Sequence, residues 1–186
     1  MAATVDYLTV FSKLKINYAT SLHFASTKLA MRSKLAWQKN QDPTHHWLAS
    51  CFSQDIEENK EPTVALAPCT NTGYRVVATA PINKYQFIGE YTGVVRRAKG
   101  LFFEEPFSVD YPIGFSSVRS YIIDAATQGN ITRFLRHSDA PNLEMKKTLY
   151  QDGHIHMLFF TKYFVAAGQE LTLNYGKKSF FHSLFG

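Results

Sequence analysis

The stretch GNITRFLRHSDAPN, residues 129–142, carries many hydrogen-bonding side chains around few apolar ones. Its large apolar residues are Ile131, Phe134 and Leu135, and the polar side chains around them include two arginines, two asparagines and a histidine. A surface loop has no need of three large apolar residues, and a buried polar group without a partner costs about 1–3 kcal/mol. The composition therefore predicts a buried polar knot in which each group is paired.

Two further motifs flank this stretch in order, GEYTG at 89–93 and GQELTLNYG at 168–176. Together the three resemble the motifs of SET-domain protein lysine methyltransferases, RF-x-NHS-x-x-PN among them. Their wording is most similar to that of the short SET proteins of chlamydia-like intracellular bacteria. The resemblance implies a β-rich mixed α+β protein with the SET fold, in which small curved sheets are closed by a C-terminal pseudoknot.

The remaining pattern after Gly73 agrees with a β-rich domain, because short β-forming runs are separated by turn residues. His154 and His156 share one face of the last predicted strand, where we expect exposed side chains. Strands are predicted over residues 75–79, 86–91, 92–96, 121–124 and 154–163, with a less regular insert over 98–120.

The family binds S-adenosylmethionine through a Gly-x-Gly turn near the start of the domain, and Gly73, Tyr74 and Arg75 stand at that place. A glycine lets backbone amides approach a ligand closely, so Arg75 in the place of the second glycine either points away from the cofactor or alters the contact. An ordinary turn glycine is the alternative for Gly73. The resemblance also places the backbone of His137 against the cofactor and uses its side chain to close the knot.

Arg136 stands where the family has an asparagine that hydrogen-bonds the methionyl end of the cofactor. An arginine can pair with the cofactor carboxylate, and its charge opposes the cofactor ammonium group. From the sequence we expect Arg136→Asn to keep the fold and to bind S-adenosylmethionine at least as well. Phe181, next to Phe180, is predicted to cover the adenine, and ordinary C-terminal packing is the alternative.

The cysteine content predicts no metal. Many family members hold zinc in a cap after the domain, but this chain has only Cys51 and Cys69, and residues 177–186 contain no cysteine. Asp139 stands where many members have a zinc-binding cysteine. Since a structural zinc site takes four cysteine or histidine ligands, we expect a short cap without zinc.

Three tyrosines are the predicted catalytic residues. Tyr175 matches the catalytic tyrosine of the family, Tyr91 matches a tyrosine that lines the lysine channel, and Tyr121 is assigned as a third wall. A core tyrosine is the alternative for each. The attacking lysine must be neutral, and a narrow apolar channel beside a sulfonium charge favours that form. The reaction needs no metal and no nucleophilic side chain, so groups that orient the two reactants suffice.

Two positions predict how many methyl groups the channel admits. Leu173 stands two residues before Tyr175, where the family has an aromatic residue and where a tyrosine favours a single methylation. Met145 stands where another branch of the family supplies a crowding tyrosine. Neither residue has a hydroxyl, so we expect a permissive channel that makes di- or trimethyl-lysine.

Residues 1–60 are predicted to form a helical basic accessory segment, and residues 61–186 the SET domain. Residues 1–40 carry a net charge of +5, which is the whole excess of the chain. Apolar residues near a 3.6-residue period predict helix over 5–39 with a break near Asn17. The basic side chains form a solvated helix face or, alternatively, contact nucleic acid, an acidic partner or an anionic membrane. No run of about 18 apolar residues indicates a membrane span.

The function predicted from the sequence is methyl transfer to a lysine of a histone or histone-like basic protein. The alternative is a catalytically degenerate SET domain that acts as a protein-binding module. Arg75 and Arg136 favour the alternative, whereas Tyr91 and Tyr175 favour the enzyme. A homodimer that completes the site stays open. The expected location is the bacterial cytoplasm or, for a secreted effector acting on chromatin, the host cell and its nucleus.

Overall fold

The structure, a computed structural model, describes residues 4–38, 43–58, 63–69, 73–100, 105–113 and 121–175. The helices of these residues lie toward the N-terminus, and short strands make up most of the rest. The helices are α1 (Tyr7–Lys13), α2 (Thr27–Trp37), α3 (Pro43–Cys51), α4 (Ser53–Glu57) and the 3-10 helix η1 (Ile131–Phe134). The strands are β1 (Asn17–Tyr18), β2 (His23–Phe24), β3 (Val64–Cys69), β4 (Gly73–Ala78), β5 (Phe87–Glu90), β6 (Val94–Arg97), β7 (Ser108–Asp110), β8 (Tyr121–Asp124), β9 (Gln128–Gly129), β10 (Arg136–His137), β11 (Leu143–Leu149), β12 (Ile155–Thr161) and β13 (Thr172–Leu173).

The predicted helix over residues 5–39 is two helices joined by two short strands. β1 pairs in parallel with β9, and β2 pairs in parallel with β6. Asn17 donates its backbone N–H to the carbonyl of Thr127 at 2.9 Å, and His23 donates to Gly93 at 3.0 Å. The helical prediction fails here because distant strands bind these backbone groups, and such tertiary contacts override a weak local propensity.

The N-terminal residues also contribute to the main core, which differs from the interpretation of residues 1–60 as an accessory segment. Val10 and Phe11 in α1 and Leu29 and Trp37 in α2 are buried. The ring of Phe11 packs edge-on against Phe134 in η1, with centroids 5.6 Å apart. These contacts make the N-terminal helices part of the folded domain.

Most of the strands after residue 63 lie in three small sheets, one of which β2 joins, while β9 and β10 pair separately with β1 and β13. β3 and β4 form an antiparallel pair, β11, β12 and β5 form a three-stranded sheet, and β2, β6, β8 and β7 form a four-stranded sheet. Gly93, the last residue of the GEYTG motif, lies against β8, since a Cβ atom there would come within 2.5 Å of the carbonyl oxygen of Asp124. This close approach explains the glycine.

The C-terminal segment lies between β4 and β10, as the pseudoknot of a SET fold requires. β13 pairs in parallel with β10, and Leu171 donates its N–H to the carbonyl of Val76 in β4 at 2.9 Å. Asn142 also binds the backbone of this segment, at Glu170 and Thr172. Its side chain donates to the carbonyl of Glu170 and accepts from the N–H of Thr172, both at 2.8 Å. The polar stretch 129–142 is thus paired with a segment about 30 residues later in the chain, as predicted.

The predicted strand over 121–124 matches β8, while β11 was not predicted from the sequence. The expectation of exposed histidines on β12 is wrong, because His154 and His156 are 7% and 6% exposed. Polar partners explain their burial: His154 contacts the hydroxyl of Ser33 at 3.2 Å, and His156 lies between two carboxylates. None of the helices in the described residues is long and apolar enough to cross a lipid bilayer.

Candidate active site

Tyr175 directs its hydroxyl into the protein although the residue is 38% exposed. The hydroxyl donates a hydrogen bond to the carbonyl oxygen of Leu135, the buried residue that follows η1. The backbone N–H of Tyr175 donates to Nδ1 of His137 at 3.1 Å, and the two rings lie 5.4 Å apart. Two separate contacts therefore hold this tyrosine in position.

Tyr91 follows β5 and is almost completely buried. Its hydroxyl donates to the carbonyl oxygen of Phe107 at 2.7 Å, and its ring meets the edge of Phe159. The same carbonyl of Phe107 accepts the N–H of Ala125 at 2.9 Å. Phe107 has a φ of +57°, a left-handed conformation that is uncommon for a residue other than glycine.

The helix η1 connects the two tyrosines. Thr132 in η1 donates its hydroxyl to the carbonyl of Glu90, the residue before Tyr91, at 3.2 Å. Leu135, just after η1, accepts the hydroxyl of Tyr175. The same short helix is therefore bonded next to Tyr91 on one side and to Tyr175 on the other. The polar stretch thus brings together two tyrosines that lie 84 positions apart in the sequence.

Both tyrosine hydroxyls are protonated at neutral pH. Burial raises the pKa of Tyr175 to about 12, and the nearby charge of Arg136 partly opposes this rise. Burial also raises the pKa of Tyr91 well above its usual value. Each hydroxyl is therefore a hydrogen-bond donor, and neither tyrosine acts as a general base at pH 7.

Tyr121 is not brought together with these two tyrosines. It begins β8, whereas Asp124 at the other end of that strand pairs with Ser108, the residue after Phe107. Three residues of a strand span about 10 Å. The Tyr121 hydroxyl accepts a hydrogen bond from Nη1 of Arg32 in α2 at 3.0 Å, and the guanidinium lies over its ring. The catalytic role of Tyr121 stays a prediction that this placement does not support.

The predicted cofactor residues Arg136 and Arg75 meet at the carboxylate of Glu170. Arg136 binds it with two hydrogen bonds, Nε to Oε1 at 2.6 Å and Nη2 to Oε2 at 2.8 Å. Arg75 reaches Oε2 through Nη1 at 3.4 Å. The hydrogen bonds to Glu170 raise the pKa of Arg136 above its usual value, so this guanidinium stays charged. We call Arg75, Arg136 and Glu170 the site cluster.

Gly73 lies next to the site cluster and leaves space in front of its backbone. Its φ of +83° is in the left-handed region that glycine enters without strain, and among the described residues no heavy atom lies within 4 Å of a Cβ position there. Opposite Gly73 in the β3–β4 pair stands Cys69, whose sulfur accepts from Nη1 of Arg136 at 3.4 Å. Tyr74 turns its ring to Phe134, 5.9 Å away, and packs in the interior.

His137 links the site cluster to Tyr175, as the neighbour of Arg136 in β10. Because Nδ1 accepts the N–H of Tyr175, the proton of the neutral imidazole lies on Nε2, which faces Oδ1 of Asp139 at 3.3 Å. The side chain of Asp139 is exposed. The histidine thereby helps to close the knot, which is the role that the resemblance implies.

Phe181, the predicted cover of the adenine, lies outside the described residues, as does its neighbour Phe180. Within the described ranges, no group of three or more histidine, cysteine, aspartate or glutamate side chains could hold a metal ion. The geometry given above therefore concerns the two tyrosines, the turn at Gly73 and the site cluster.

The model of the family described as "SET domain" matches residues 73–176, which is more than half of the chain. The chain belongs to the SET domain family. Two similar curated proteins are histone-lysine N-methyltransferases: Su(var)3-9 of Drosophila melanogaster, 28% identical over 141 residues, and the H3 lysine-36 specific enzyme of Aspergillus fumigatus, 30% identical over 133 residues. Each alignment covers 68% of this chain but only 22% and 14%, respectively, of the relative.

Solved SET domains have the same fold. A crystal structure of ATXR5 in complex with a mono-methylated histone H3.1 covers 92% of this chain and 86% of ATXR5, with a TM-score of 0.72 and 16% identity. A structure of an active polycomb repressive complex 2 covers 66% of this chain and 16% of the matched chain, with a TM-score of 0.54 and 21% identity. At such identities the likeness establishes the SET fold.

Three groups in this SET domain were not recognised from the sequence as parts of the site. The carbonyls of Leu135 and Phe107 hold the tyrosines, and backbone carbonyls carry no residue-type signal. Glu170 is the third group, because its side chain binds both predicted cofactor arginines. Arg75 and Arg136 stand where the family has uncharged residues. Two such arginines could have suggested a carboxylate partner, and Glu170 lies in one of the three motifs.

Proposed function

We propose that this SET domain transfers a methyl group from S-adenosylmethionine to a lysine of a histone or histone-like basic protein. One observation carries the proposal: η1 and the residue after it bind Tyr175 and the residue before Tyr91, and His137 connects Tyr175 to the site cluster. The proposed catalytic tyrosine Tyr175 and the proposed cofactor-binding cluster are thus linked through His137. The histone-lysine methyltransferase names of the relatives and the histone bound in the ATXR5 complex support this substrate class.

The donor set fits S-adenosylmethionine, which SET methyltransferases in general use. Bound there, this cofactor supplies a methyl group on a sulfonium, together with a carboxylate and an ammonium group. The site cluster offers guanidinium groups for the carboxylate, and Glu170 offers an acceptor for the ammonium. Among the described residues nothing fills the Cβ position of Gly73, so they leave its backbone accessible. A buried N–H donor, Nε of Arg75, has no partner among the described residues, as expected where a ligand supplies the acceptor.

The two tyrosines orient the reactants in this proposal. A free lysine has a pKa of about 10.4, so only about one in 2,500 is neutral at pH 7. Burial beside Tyr91 shifts the lysine toward the neutral form, because desolvation disfavours its charge. Since both tyrosines stay protonated, the lysine loses its proton to water before transfer. The hydroxyls and the carbonyls of Leu135 and Phe107 then direct the amine toward the methyl group.

The absence of a hydroxyl at two positions supports multiple methylation as part of the proposal. Leu173 is buried in β13, two residues before Tyr175, and Met145 in β11 packs against the main core. We expect the wild type to form di- or trimethyl-lysine and Leu173→Tyr to shift the product toward monomethyl-lysine. Peptide products resolved by mass would show this. A wild type that stops cleanly at one methyl would refute the permissive channel.

The experiment for the main proposal is a methylation assay. Purified protein is mixed with core histones and methyl-labelled S-adenosylmethionine, and labelled lysines are located by mass spectrometry. Tyr163→Phe is the matched control, since Tyr163 is an exposed tyrosine outside the site. We expect label with the wild type and the control, and about 10²-fold less with Tyr175→Phe.

The second candidate, a binding module without catalysis, is favoured by Arg75 in place of the second glycine of the cofactor turn. Calorimetry with S-adenosylhomocysteine separates the two. Cofactor binding without labelled product on any histone would favour the module. No binding of either the cofactor or a histone would contradict both.

The remaining partners and the location follow from the sequence and stay predictions within this proposal. A homodimer that completes the site would have twice the protomer mass in solution by light scattering. Contact of the basic N-terminal segment with nucleic acid would give binding that weakens steeply with salt. Fractionation of producing bacteria and host cells would distinguish the bacterial cytoplasm from the host nucleus.

A further inference from the structure

Helix α2 contacts residues 105–113, which lie between β6 and β8 and which we call the insert segment. Ser33 in α2 is completely buried, and its hydroxyl lies 3.1 Å from the hydroxyl of Tyr111, the residue after β7. One turn later, Trp37 donates its indole N–H to the carbonyl of Pro112 at 3.3 Å. The four-stranded sheet has β2 at one edge and β7 at the other, and α2 follows β2 in the chain. The helix therefore connects the two edges of this sheet.

Burial fixes the position of the Tyr111 side chain. Its hydroxyl stays protonated at neutral pH, because burial raises its pKa. The Ser33 hydroxyl also lies 3.2 Å from Nδ1 of His154, so the serine can donate to one of these neighbours and accept from the other. The ring of Phe24 in β2 packs edge-on against Tyr111, with centroids 6.1 Å apart. A shift of Tyr111 would leave buried hydroxyl groups without partners, which costs free energy.

Arg32 holds the residue that follows the insert in the four-stranded sheet. It binds the Tyr121 hydroxyl, and the carbonyl of Tyr121 accepts the backbone N–H of Tyr111 at 2.8 Å. Two neighbouring residues of α2, Arg32 and Ser33, thus hold the two ends of one backbone hydrogen bond. This contact gives Tyr121 a structural role in place of the predicted catalytic one.

The insert segment links Tyr111 to Tyr91. Phe107 precedes β7, and its carbonyl accepts both the Tyr91 hydroxyl at 2.7 Å and the N–H of Ala125 at 2.9 Å. All three residues of β7 pair with β8. Because a paired strand moves as a unit, displacing Tyr111 at one end of β7 displaces the Phe107 carbonyl at the other.

We propose that α2 positions the Tyr91 wall of the lysine channel, and that Ser33 is the positioning residue, acting through Tyr111 and the insert segment. This inference rests on the proposed function for the role of Tyr91. It gives the N-terminal segment a part in methyl transfer. The groups proposed to bind the cofactor belong to β4, β10 and the segment before β13, so we expect the rate to change rather than the cofactor affinity.

The test compares two buried hydroxyls that bind different elements. Ser33→Ala removes the contact with Tyr111, whereas Thr148→Val removes a buried hydroxyl that accepts the N–H of Ala49 in α3. We expect kcat on core histones to fall about tenfold in Ser33→Ala and to stay within about twofold of the wild type in Thr148→Val. The Kd for S-adenosylhomocysteine, measured by calorimetry, should be the same in both variants and the wild type.

Hydrogen exchange of one amide provides a readout that needs no catalysis. The N–H of Ala125 is protected by the Phe107 carbonyl, and it should exchange at least about tenfold faster in Ser33→Ala than in Thr148→Val. Tyr111→Phe breaks the same contact from the insert segment and keeps the packed ring, so it serves equally where Ser33→Ala fails to fold. Melting curves of every variant verify the fold.

The outcomes separate this inference from the proposed function. Unchanged exchange at Ala125 in folded Ser33→Ala and Tyr111→Phe would overturn the inference, and so would an equal loss of kcat in Thr148→Val. Faster exchange with an unchanged kcat would also overturn it, since Tyr91 would then not depend on the insert segment. A wild type that methylates no histone would remove the proposed function, and exchange at Ala125 would still decide whether α2 holds the insert segment.

Discussion

Two charged clusters in the molecule have opposite arrangements. In the site cluster the carboxylate of Glu170 lies between two guanidinium groups. In the second, which we call the core cluster, the imidazole of His156 lies between the carboxylates of Glu90 and Asp152, with N–O distances of 2.9 and 3.2 Å. The contact with Glu90 is off the hydrogen-bond direction, so it is mainly ionic.

Burial makes the two clusters different. The side chains of Glu90 and His156 are 3% and 8% exposed, whereas those of Glu170 and Arg136 are 17% and 36% exposed. Removing one partner of a buried pair leaves an uncompensated charge, which costs about 3–5 kcal/mol. A pair that is partly exposed is screened by water and contributes less, about 1 kcal/mol. We therefore expect the core cluster to act on stability and the site cluster on ligand binding.

The largest expected effect is that of His156→Gln, which leaves Glu90 buried without a cation. The free energy of unfolding should fall by about 3–5 kcal/mol. Urea unfolding measures it, with His154→Gln as the control. Burial lowers the pKa of His154, so this histidine is neutral, and losing its contact with Ser33 should cost only about 1 kcal/mol. Equal losses in the two variants would contradict the ionic interpretation.

The free energy of unfolding should depend on pH through the titration of the same histidine, His156. Burial lowers the pKa of His156, but the charges of Glu90 and Asp152 outweigh burial and raise it to about 10. The unfolded value is about 6.5, so the contribution is complete below that pH and is lost as the pH rises through about 10. Unfolding measured from pH 6 to 10 should show a fall in the wild type and a flatter profile in His156→Gln. Parallel profiles would count against the assignment.

Tyr175→Phe should affect catalysis much more than folding. The methylation rate should fall about 10²-fold, because the amine loses an orienting hydroxyl. The lost hydrogen bond to Leu135 should lower the free energy of unfolding by only about 1 kcal/mol. A normal methylation rate in Tyr175→Phe would remove Tyr175 from the site.

The smallest expected change in stability is that of Glu170→Gln, which removes the negative charge from the site cluster. Both arginines keep access to water, so the free energy of unfolding should change by about 1 kcal/mol or less. A loss as large as that of His156→Gln would show that the site cluster is structural. Urea unfolding of the two variants side by side gives the answer.

The site could be predicted further from the sequence than the N-terminal fold. The composition of the stretch 129–142 predicts a paired polar knot, and the flanking motifs at 89–93 and 168–176 mark Tyr91 and Tyr175 as candidate site residues. The strands at Asn17 and His23 could not be predicted, since their hydrogen-bond partners lie in distant segments. The local periodicity of apolar residues contains no information about such distant partners.

The burial of His156 was missed for a related reason. An alternating pattern predicts which residues share a face, and whether that face meets water depends on the elements that cover it. Here the carboxylates of Glu90 and Asp152 both contact the imidazole, and their charges offset the cost of burying it. Glu90 lies 66 positions earlier in the chain, so the pairing shows only in the folded protein.

The parallel pairing of the N-terminal strands has a consequence for the order of events during synthesis. Asn17 pairs with Gln128, 111 positions later, and His23 pairs with Val94, 71 positions later. At about 5–20 residues per second, a ribosome makes the partner of Asn17 between about 5 and 20 seconds after Asn17 itself. Until their partner strands β9 and β6 are made, β1 and β2 have unpaired backbone groups. The apolar faces of α1 and α2 likewise lack the core residues against which they later pack. Contacts so distant in sequence also slow folding in a test tube. Nascent chains of this protein therefore depend, for several seconds, on whatever the cell provides to keep an unfinished N-terminus from aggregating.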